Sequence, residues 1–321
     1  MAEVRAGEVR VVTPATSANL GPGFDALGLA LAWYDEVAAE TTRRGLDIEV
    51  GGEGAADVPR DDGHLVVRSM RATFDLLGVA QPGLRLTCHN RIPHGRGLGS
   101  SSAAIVAGIR LAEELTSGAA LTSAQRLVLA NDLEGHPDNV AACVLGGLTI
   151  AWLEDGDDGE PLNTSSRATD TSSRATARAV RLDVHPDIHP VVFVPPEPLP
   201  TQVARGLLPR KVSHRDASRN AGRAALLVAA LTRRPDHLLA ATEDWLHQEY
   251  RAPAMPDSLH LVSRLRSTGV ATVLSGAGPT VLALGTSTRP VDIRQCTPEG
   301  WHARRLAIDG NGTRLAAETR R

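Results

Sequence analysis

Pro93-His94-Gly95-Arg96-Gly97-Leu98-Gly99-Ser100-Ser101-Ser102-Ala103 sets glycines at 95, 97 and 99 directly before a run of serines. That order of residue types suits anion binding. Glycine lets the backbone approach a ligand closely, and the serines fall where a helix leaves its first N–H groups unpaired and its dipole end positive. Ile105, Ile109, Ala112 and Leu115 follow at helical spacing and predict a helix over about 100–116. A phosphate group is the ligand such a loop would cradle; a helix merely capped by Ser100 after a flexible turn is the plainer alternative. No lysine follows Gly99, which excludes the G-x-x-x-x-G-K-[ST] nucleotide loop.

Three further stretches carry polar residues at suggestive spacing. Ala15-Thr-Ser-Ala-Asn19-Leu-Gly-Pro-Gly-Phe-Asp25 is too rich in Gly and Pro to be regular and reads as a long polar loop. Gly21-Pro-Gly23-x-x-Ala26 formally fits a dinucleotide fingerprint, but seven residues separate it from Thr13 and no αβ crossover follows, so that reading is rejected. Glu134-Gly-His136-Pro-Asp-Asn139 gathers two acids, a His and an Asn around a turn, although a helix stop before a proline-initiated helix gives the same string. Arg205 lies in T-x-x-A-R-x-x-L-P and Arg251 in Asp244-Trp-Leu-His-Gln-Glu-Tyr-Arg251-Ala-Pro. Taken alone, each arginine is a solvated surface charge. His185 and His189 have i,i+4 spacing, yet Pro186 and Pro190 forbid one helix face, so they read as loop residues and not as metal ligands.

The elements that must hold these residues follow from periodicity. Val9–Thr13 is a predicted strand ended by Pro14; strands follow over 27–37 and 46–50, a helix over 65–79 and a strand over 84–92 that delivers the glycine loop. Thr122 with Gln125 three residues on is a capping box that opens a helix over 122–132. Beyond Arg181 come a strand over 190–194, helices over 216–231 and 257–268, and two apolar runs joined at Ser275-Gly-Ala-Gly-Pro-Thr280. Such a mixture predicts an α+β protein. Between the halves, Asp155-Gly-Asp-Asp-Gly-Glu160 and two copies of Thr-Ser-Ser-Arg-Ala-Thr, at 164–169 and 171–176, read as a solvated low-complexity insertion. Its acids do not fit a calcium loop, since Gly159 takes the fifth position from Asp155.

Composition narrows the class. With 321 residues and 42% hydrophobic content the chain can bury the cores of two lobes. Its 34 basic against 37 acidic side chains leave a net charge of −3, with no excess for nucleic acid. Cys88, Cys143 and Cys296 have neither metal-ligand nor C-x-x-C spacing. Pro14, Asn19 and the early glycines rule out a secretory signal, and no apolar run has membrane-spanning length, so a soluble cytoplasmic protein is expected, without a membrane partner.

The glycine loop resembles the P-x-x-x-G-L-G-S-S-A-A motif of the galactokinase, homoserine kinase, mevalonate kinase and phosphomevalonate kinase (GHMP) superfamily, with Ser102 where that motif has alanine. Pro14-Ala-Thr-Ser-Ala-Asn-Leu-Gly-Pro-Gly-Phe-Asp25 and Glu134-Gly-His-Pro-Asp-Asn-Val140 are similar to strings particular to homoserine kinases, as are the contexts of Arg205 and Arg251. The likeness covers the chain except the insertion and the far C-terminus. It implies the two-lobed GHMP kinase fold, with a ribosomal-protein-S5-like N-terminal lobe over 1–153, the disordered insertion over 154–180 and a ferredoxin-like C-terminal lobe over 181–321. It implies ATP-dependent phosphorylation of the L-homoserine hydroxyl in threonine biosynthesis, with ATP held by Pro93 to Ala103 and Mg2+ by Ser101 and Glu134. Asn19, Ser101 and Glu134 would be the catalytic set. Arg205 and Arg251 would pair the substrate carboxylate, Asp25 its ammonium and Asn19 its hydroxyl, with His136 and Asn139 lining the pocket. Direct transfer from the hydroxyl is implied, with Asp25 the conceivable base. A homodimer is compatible with all of this. The alternatives are a GHMP-type kinase of another small hydroxy-amino acid or alcohol, and a non-catalytic binding protein, which would lack Ser101 or Glu134.

Overall fold

A computed structural model describes residues 3–118, 120–155 and 175–317. The N-terminal lobe is a seven-stranded sheet with helices against it. Its spine is the long strand Leu27–Thr42, which pairs antiparallel with Glu8–Ala18 along one edge. On the other edge, residues 36–42 of the spine pair with Gly83–Asn90, and residues 27–29 pair with Leu148–Glu154. Leu46–Gly52 lies parallel to Gly83–Asn90, and helix Leu65–Leu76 makes the crossover that a parallel pair requires. Alternation of apolar and polar residues sets the faces: Val9, Val11, Val37, Leu84 and Leu86 turn inward onto Met70 and Phe74 of that helix and Leu111 of helix Ser100–Glu114.

The C-terminal lobe has a four-stranded antiparallel sheet in the order Ala271–Leu274, Val281–Gly285, His189–Val194, His302–Arg305. Helices His214–Thr232 and Pro256–Ser267 lie between the first and second of these strands in the chain, and helix Ile293–Cys296 precedes the last. Counted along the chain the spatial order is 2-3-1-4, the βαββαβ arrangement of a ferredoxin-like lobe. One apolar cluster runs through both lobes, from Leu29, Ile92 and Leu98 to Val192, Leu231, Val273 and Leu282, so the lobes share a core where the site lies.

Several expected boundaries are corrected. The first strand does not stop at Pro14 but continues to Ala18, because the pairing with Leu27–Thr42 slips between Pro14 and Ala15, and the missing proline N–H falls at that irregularity. The strand expected over 84–92 ends at Asn90, since the N–H groups of Arg91 and Ile92 turn to the Asp35 carboxylate at 2.6 and 2.8 Å. The insertion is narrower than 154–180: Thr176–Leu182 is a strand of the N-terminal sheet paired with Leu148–Glu154, while residues 156–174 lie outside the described residues. The lobes are also not cleanly sequential. Arg314–Leu315 returns to pair with Val11 and Val12, so the chain's end closes the N-terminal sheet.

Candidate functional site

The glycine loop is built by left-handed backbone. Gly97 and Gly99 have φ of 72° and 70°; a Cβ on Gly97 would run into the Ser275 carbonyl, and one on Gly99 into the Thr16 hydroxyl. No other residue fits either place. Gly99 is the N-cap of helix Ser100–Glu114, so the N–H groups of Ser100, Ser101 and Ser102 begin a 15-residue helix dipole. Leu98 and Ala103 are buried and anchor the loop, with the Thr16 N–H donating to the Leu98 carbonyl at 3.0 Å. Arg96 does not turn its guanidinium to the cradle. It donates to the carbonyls of His94 at 2.8 Å and Pro195 at 3.0 Å, and to that of Pro196, bracing the loop against the other lobe. Pro93 is buried, and the His94 imidazole, beside Gly54, has its pKa lowered by burial.

Ser101 and Glu134 meet. The Ser101 hydroxyl donates to Glu134 Oε1 at 2.6 Å, and the Ser102 hydroxyl donates to the same oxygen at 2.9 Å. Glu134 is the last residue of helix Ser123–Glu134, which the Thr122–Gln125 capping box opens and the left-handed Gly135 closes. A carboxylate and two hydroxyls at one point are hard oxygen donors, the kind magnesium takes, and the set fits that ion. Ser102, where the resembling motif has alanine, proves to be a third member of this group.

The next helix starts at Pro137 with His136 as N-cap. Asp138, 2% exposed, accepts the Asn139 N–H at 2.7 Å and lies 3.2 Å from His136 Nδ1, which raises the imidazole pKa. Asn139 Oδ1 accepts the Thr16 hydroxyl at 2.8 Å, tying this helix to the first strand.

The acceptor side expected from the sequence is the loop from Asn19 to Asp25. Asn19, Leu20 and Asp25 all have positive φ, at 67°, 51° and 53°. Strain of this kind in residues other than glycine survives only where the surroundings enforce it. Asn19 enforces it from within: its Oδ1 accepts the Asp25 N–H at 2.9 Å and its Nδ2 donates to the Gly276 carbonyl at 2.8 Å. Arg205, on helix Thr201–Gly206, forks onto Asp25 with Nη2–Oδ1 at 2.8 Å and Nη1–Oδ2 at 3.2 Å. Arg251 is 1% exposed, and its Nη1 reaches the Gly276 carbonyl and His247 Nδ1, each at 3.0 Å. Both guanidinium groups lie over the Phe24 ring, at 5.9 and 5.8 Å from its centroid. Burial, with Arg205 adding repulsion, pushes the Arg251 pKa down to about 10, and its buried Nε has no partner. Two cations over one ring, one of them under-satisfied, make a place for an anion.

One turn joins the two halves of the site. In the hairpin after Leu274, Ser275 donates to the Gly97 carbonyl at 2.6 Å, while the neighbouring Gly276 carbonyl serves both Asn19 and Arg251. The glycine loop and the acceptor loop therefore share a fixed frame. Every residue expected from the sequence lies in one of these linked groups, although Arg96 points its side chain elsewhere, and Asp25 and Arg205, assigned to opposite ends of a substrate, pair with each other. Sequence reasoning missed Thr16 and Asp138, which lay inside matched strings, and His247, whose i,i+4 spacing from Arg251 was the available signal. Phe24 also lay inside the first matched string.

Residues 64–147 match the family described as GHMP kinases N terminal domain. The chain is 56% identical over 310 residues to the homoserine kinase of Streptomyces coelicolor, covering 96% of this chain and 94% of that one. It is 50% identical to the homoserine kinase of Rhodococcus erythropolis, over 88% and 87% of the two chains. Among solved structures, homoserine kinase from Cytophaga hutchinsonii superposes with a TM-score of 0.78 at 24% identity, over 96% of this chain and 97% of that one. Mevalonate kinase of L. major superposes at 0.62 with 16% identity, over 96% and 97%, and shares the fold alone. With relatives this similar over nearly the full length, the chain belongs to the homoserine kinases of the GHMP kinase superfamily.

Proposed function

We propose that this protein transfers the γ-phosphoryl group of ATP to the side-chain hydroxyl of L-homoserine, yielding O-phospho-L-homoserine and ADP on the route to threonine, in the cytoplasm where ATP is supplied. The observation that carries this reading is the shared turn, which binds Gly97 of the phosphate cradle through Ser275 and holds Asn19 of the acceptor loop and the neighbouring Arg251 through Gly276. An enzyme of this kind has little covalent chemistry to do; it must align donor and acceptor and stabilise charge.

Backbone N–H groups between Gly95 and Ser102 hold the ATP phosphates at the helix N-terminus. Ser101 and Glu134, with Ser102 steadying the carboxylate, are the residues that would hold Mg2+, which supplies charge neutralisation on the phosphate oxygens. Arg251 and Arg205 receive the homoserine carboxylate over the Phe24 ring, and Asp25 receives its ammonium, so the substrate's two charges engage the pair that Asp25 and Arg205 form in its absence. His136 and Asn139 bound the space in between. Asn19, whose amide is already committed on both ends, keeps one lone pair and one N–H for the hydroxyl.

The hydroxyl oxygen forms the new bond to phosphorus as the bond to the ADP oxygen breaks, and its proton passes to the phosphoryl oxygens. Both Asp25 oxygens accept from Arg205 in the absence of substrate, and in the complex this carboxylate orients the substrate through its ammonium. A coupled assay of ADP release with homoserine, threonine, serine and mevalonate tests the reading. Homoserine should give the highest kcat/KM; preference for another hydroxy-amino acid would move the assignment to a sister activity, and no substrate-dependent release would leave a binding protein.

A further inference from the structure

His247 is fully buried, belongs to no part of the chemistry above, and contacts both halves of the acceptor pocket. Its Nε2 lies 2.8 Å from the Gly21 carbonyl, in the middle of the strained loop that carries Asn19 and Asp25. Its Nδ1 lies 3.0 Å from Arg251 Nη1. Its ring stacks on Phe24, with centroids 5.1 Å apart and planes at 28°, on the same ring that both arginines cover. Hydrogen-bond chemistry then allows one state only. A carbonyl can only accept, so Nε2 carries the proton; a guanidinium can only donate, so Nδ1 carries the lone pair. A doubly protonated ring would face Arg251 with proton against proton.

We propose that His247 is a positioning residue of the acceptor site: a neutral imidazole with its proton on Nε2, which pins the Gly21 carbonyl with that N–H and aims the Arg251 guanidinium with Nδ1. The inference rests on the reading that Arg251 takes the substrate carboxylate. The backbone around His247 is prepared for this. Asp244 accepts the N–H groups of Leu246, His247 and Gln248 at 3.0, 3.1 and 2.7 Å, and the Gln248 side chain accepts the Leu274 N–H at 2.6 Å, so the backbone that carries the ring is held in place. The charged groups that face the imidazole are Asp244, 3.7 Å from Nε2, Arg251 in contact, and Asp25 beyond. Burial holds the imidazole pKa below its usual value against the pull of both acids, which keeps the ring neutral. A second consequence is directional: with one Nη1 hydrogen given to His247 and another to Gly276, the rest of the guanidinium fork is left for an incoming anion.

The test uses the full-length protein and has two arms. Side-chain nitrogen NMR of the wild type at pH 7 should show His247 with a protonated ε2 and an unprotonated δ1 nitrogen; the opposite tautomer or a doubly protonated ring overturns the proposal. In the kinetic arm, His247→Phe keeps the stacked volume and loses both hydrogen bonds, whereas His247→Asn restores an acceptor near the Nδ1 position. His247→Phe should raise the homoserine KM roughly 10- to 100-fold, the scale of a hydrogen bond to a charged group, and leave the ATP KM within about twofold. His247→Asn should recover much of that loss. Combined with Arg251→Ala, His247→Phe should add little, because its effect on substrate passes through the arginine. Losses that multiply in the double variant, or an Asn variant as impaired as Phe, overturn the role of His247 while leaving the carboxylate reading intact. An Arg251→Ala enzyme with unchanged homoserine kinetics overturns the carboxylate reading itself. Should His247→Phe fail to fold, the Asn variant and the wild-type tautomer still decide.

Discussion

Glu134 accepts from two serines at a single oxygen, and its negative charge is what a divalent ion at this place would need. Glu134→Gln keeps the shape and removes the charge, so turnover should fall at least about 100-fold, with weaker magnesium dependence, when rates are titrated against the ion. Near-normal turnover at saturating magnesium would remove Glu134 from the metal site. A second residue-scale prediction concerns Asp35. Burial raises its pKa from 3.8 to about 6, against the opposing pull of the Ile92 and Arg91 N–H groups. The folded state therefore binds this proton more tightly than the unfolded chain does. The stability it contributes is fully present below about pH 4 and is lost as pH rises through about 6, by up to about 3 kcal/mol. Asp35→Asn keeps an oxygen for both N–H groups and does not titrate. Urea unfolding at pH 4 and pH 7 should show the wild type losing stability relative to Asn across that window; parallel curves would contradict the assignment.

Periodicity made most elements legible, because helices such as Ser100–Glu114 and Pro256–Ser267 carry their apolar stripe in plain view and the Thr122 capping box announces its own helix. What stayed hidden were tertiary effects. Pro14 looked like a strand end, yet a slip in pairing with Leu27–Thr42 absorbs it; the return of Arg314 to Val12 has no local signal at all. The glycine loop gave its ligand class away, but the Gly97–Ser275 contact depends on a residue 178 positions distant. Gly97→Ala should therefore cost several degrees in Tm and most of the ATP affinity, since the new Cβ meets a carbonyl that cannot move and the backbone is left-handed. Unchanged melting and ATP binding would show that the loop can relax. At the hairpin Leu148–Glu154 with Thr176–Leu182, Glu154 and Thr176 are direct Cα partners. Deleting 156–174 together with Ala175→Gly joins the strands through a two-residue Asp-Gly turn, the preferred hairpin connection. Activity and Tm should stay nearly unchanged, and a large loss of either would assign those residues a structural or catalytic part.

At the scale of the molecule, two lobes with separate sheets share one apolar cluster, and the site is distributed over both, with the cradle in the first and Arg205 and Arg251 in the second. The sequence named the candidate residues, through the three matched strings, but not how they are wired together. Asp25 and Arg205 are 180 positions apart and paired, and no spacing rule foretells that contact. The most direct measurement compares homoserine with its decarboxylated analogue 3-aminopropanol in the wild type and in Arg251→Ala. Removing a hydrogen bond to a charged group costs about 1.5–3 kcal/mol, so kcat/KM for homoserine should fall roughly 10- to 150-fold in the variant. Turnover of 3-aminopropanol, poor from the start, should suffer no comparable further loss, and ATP affinity should stay within about twofold. Equal losses on both substrates, or a fall in ATP affinity as large as that for homoserine, would contradict a carboxylate-reading site at the lobe junction.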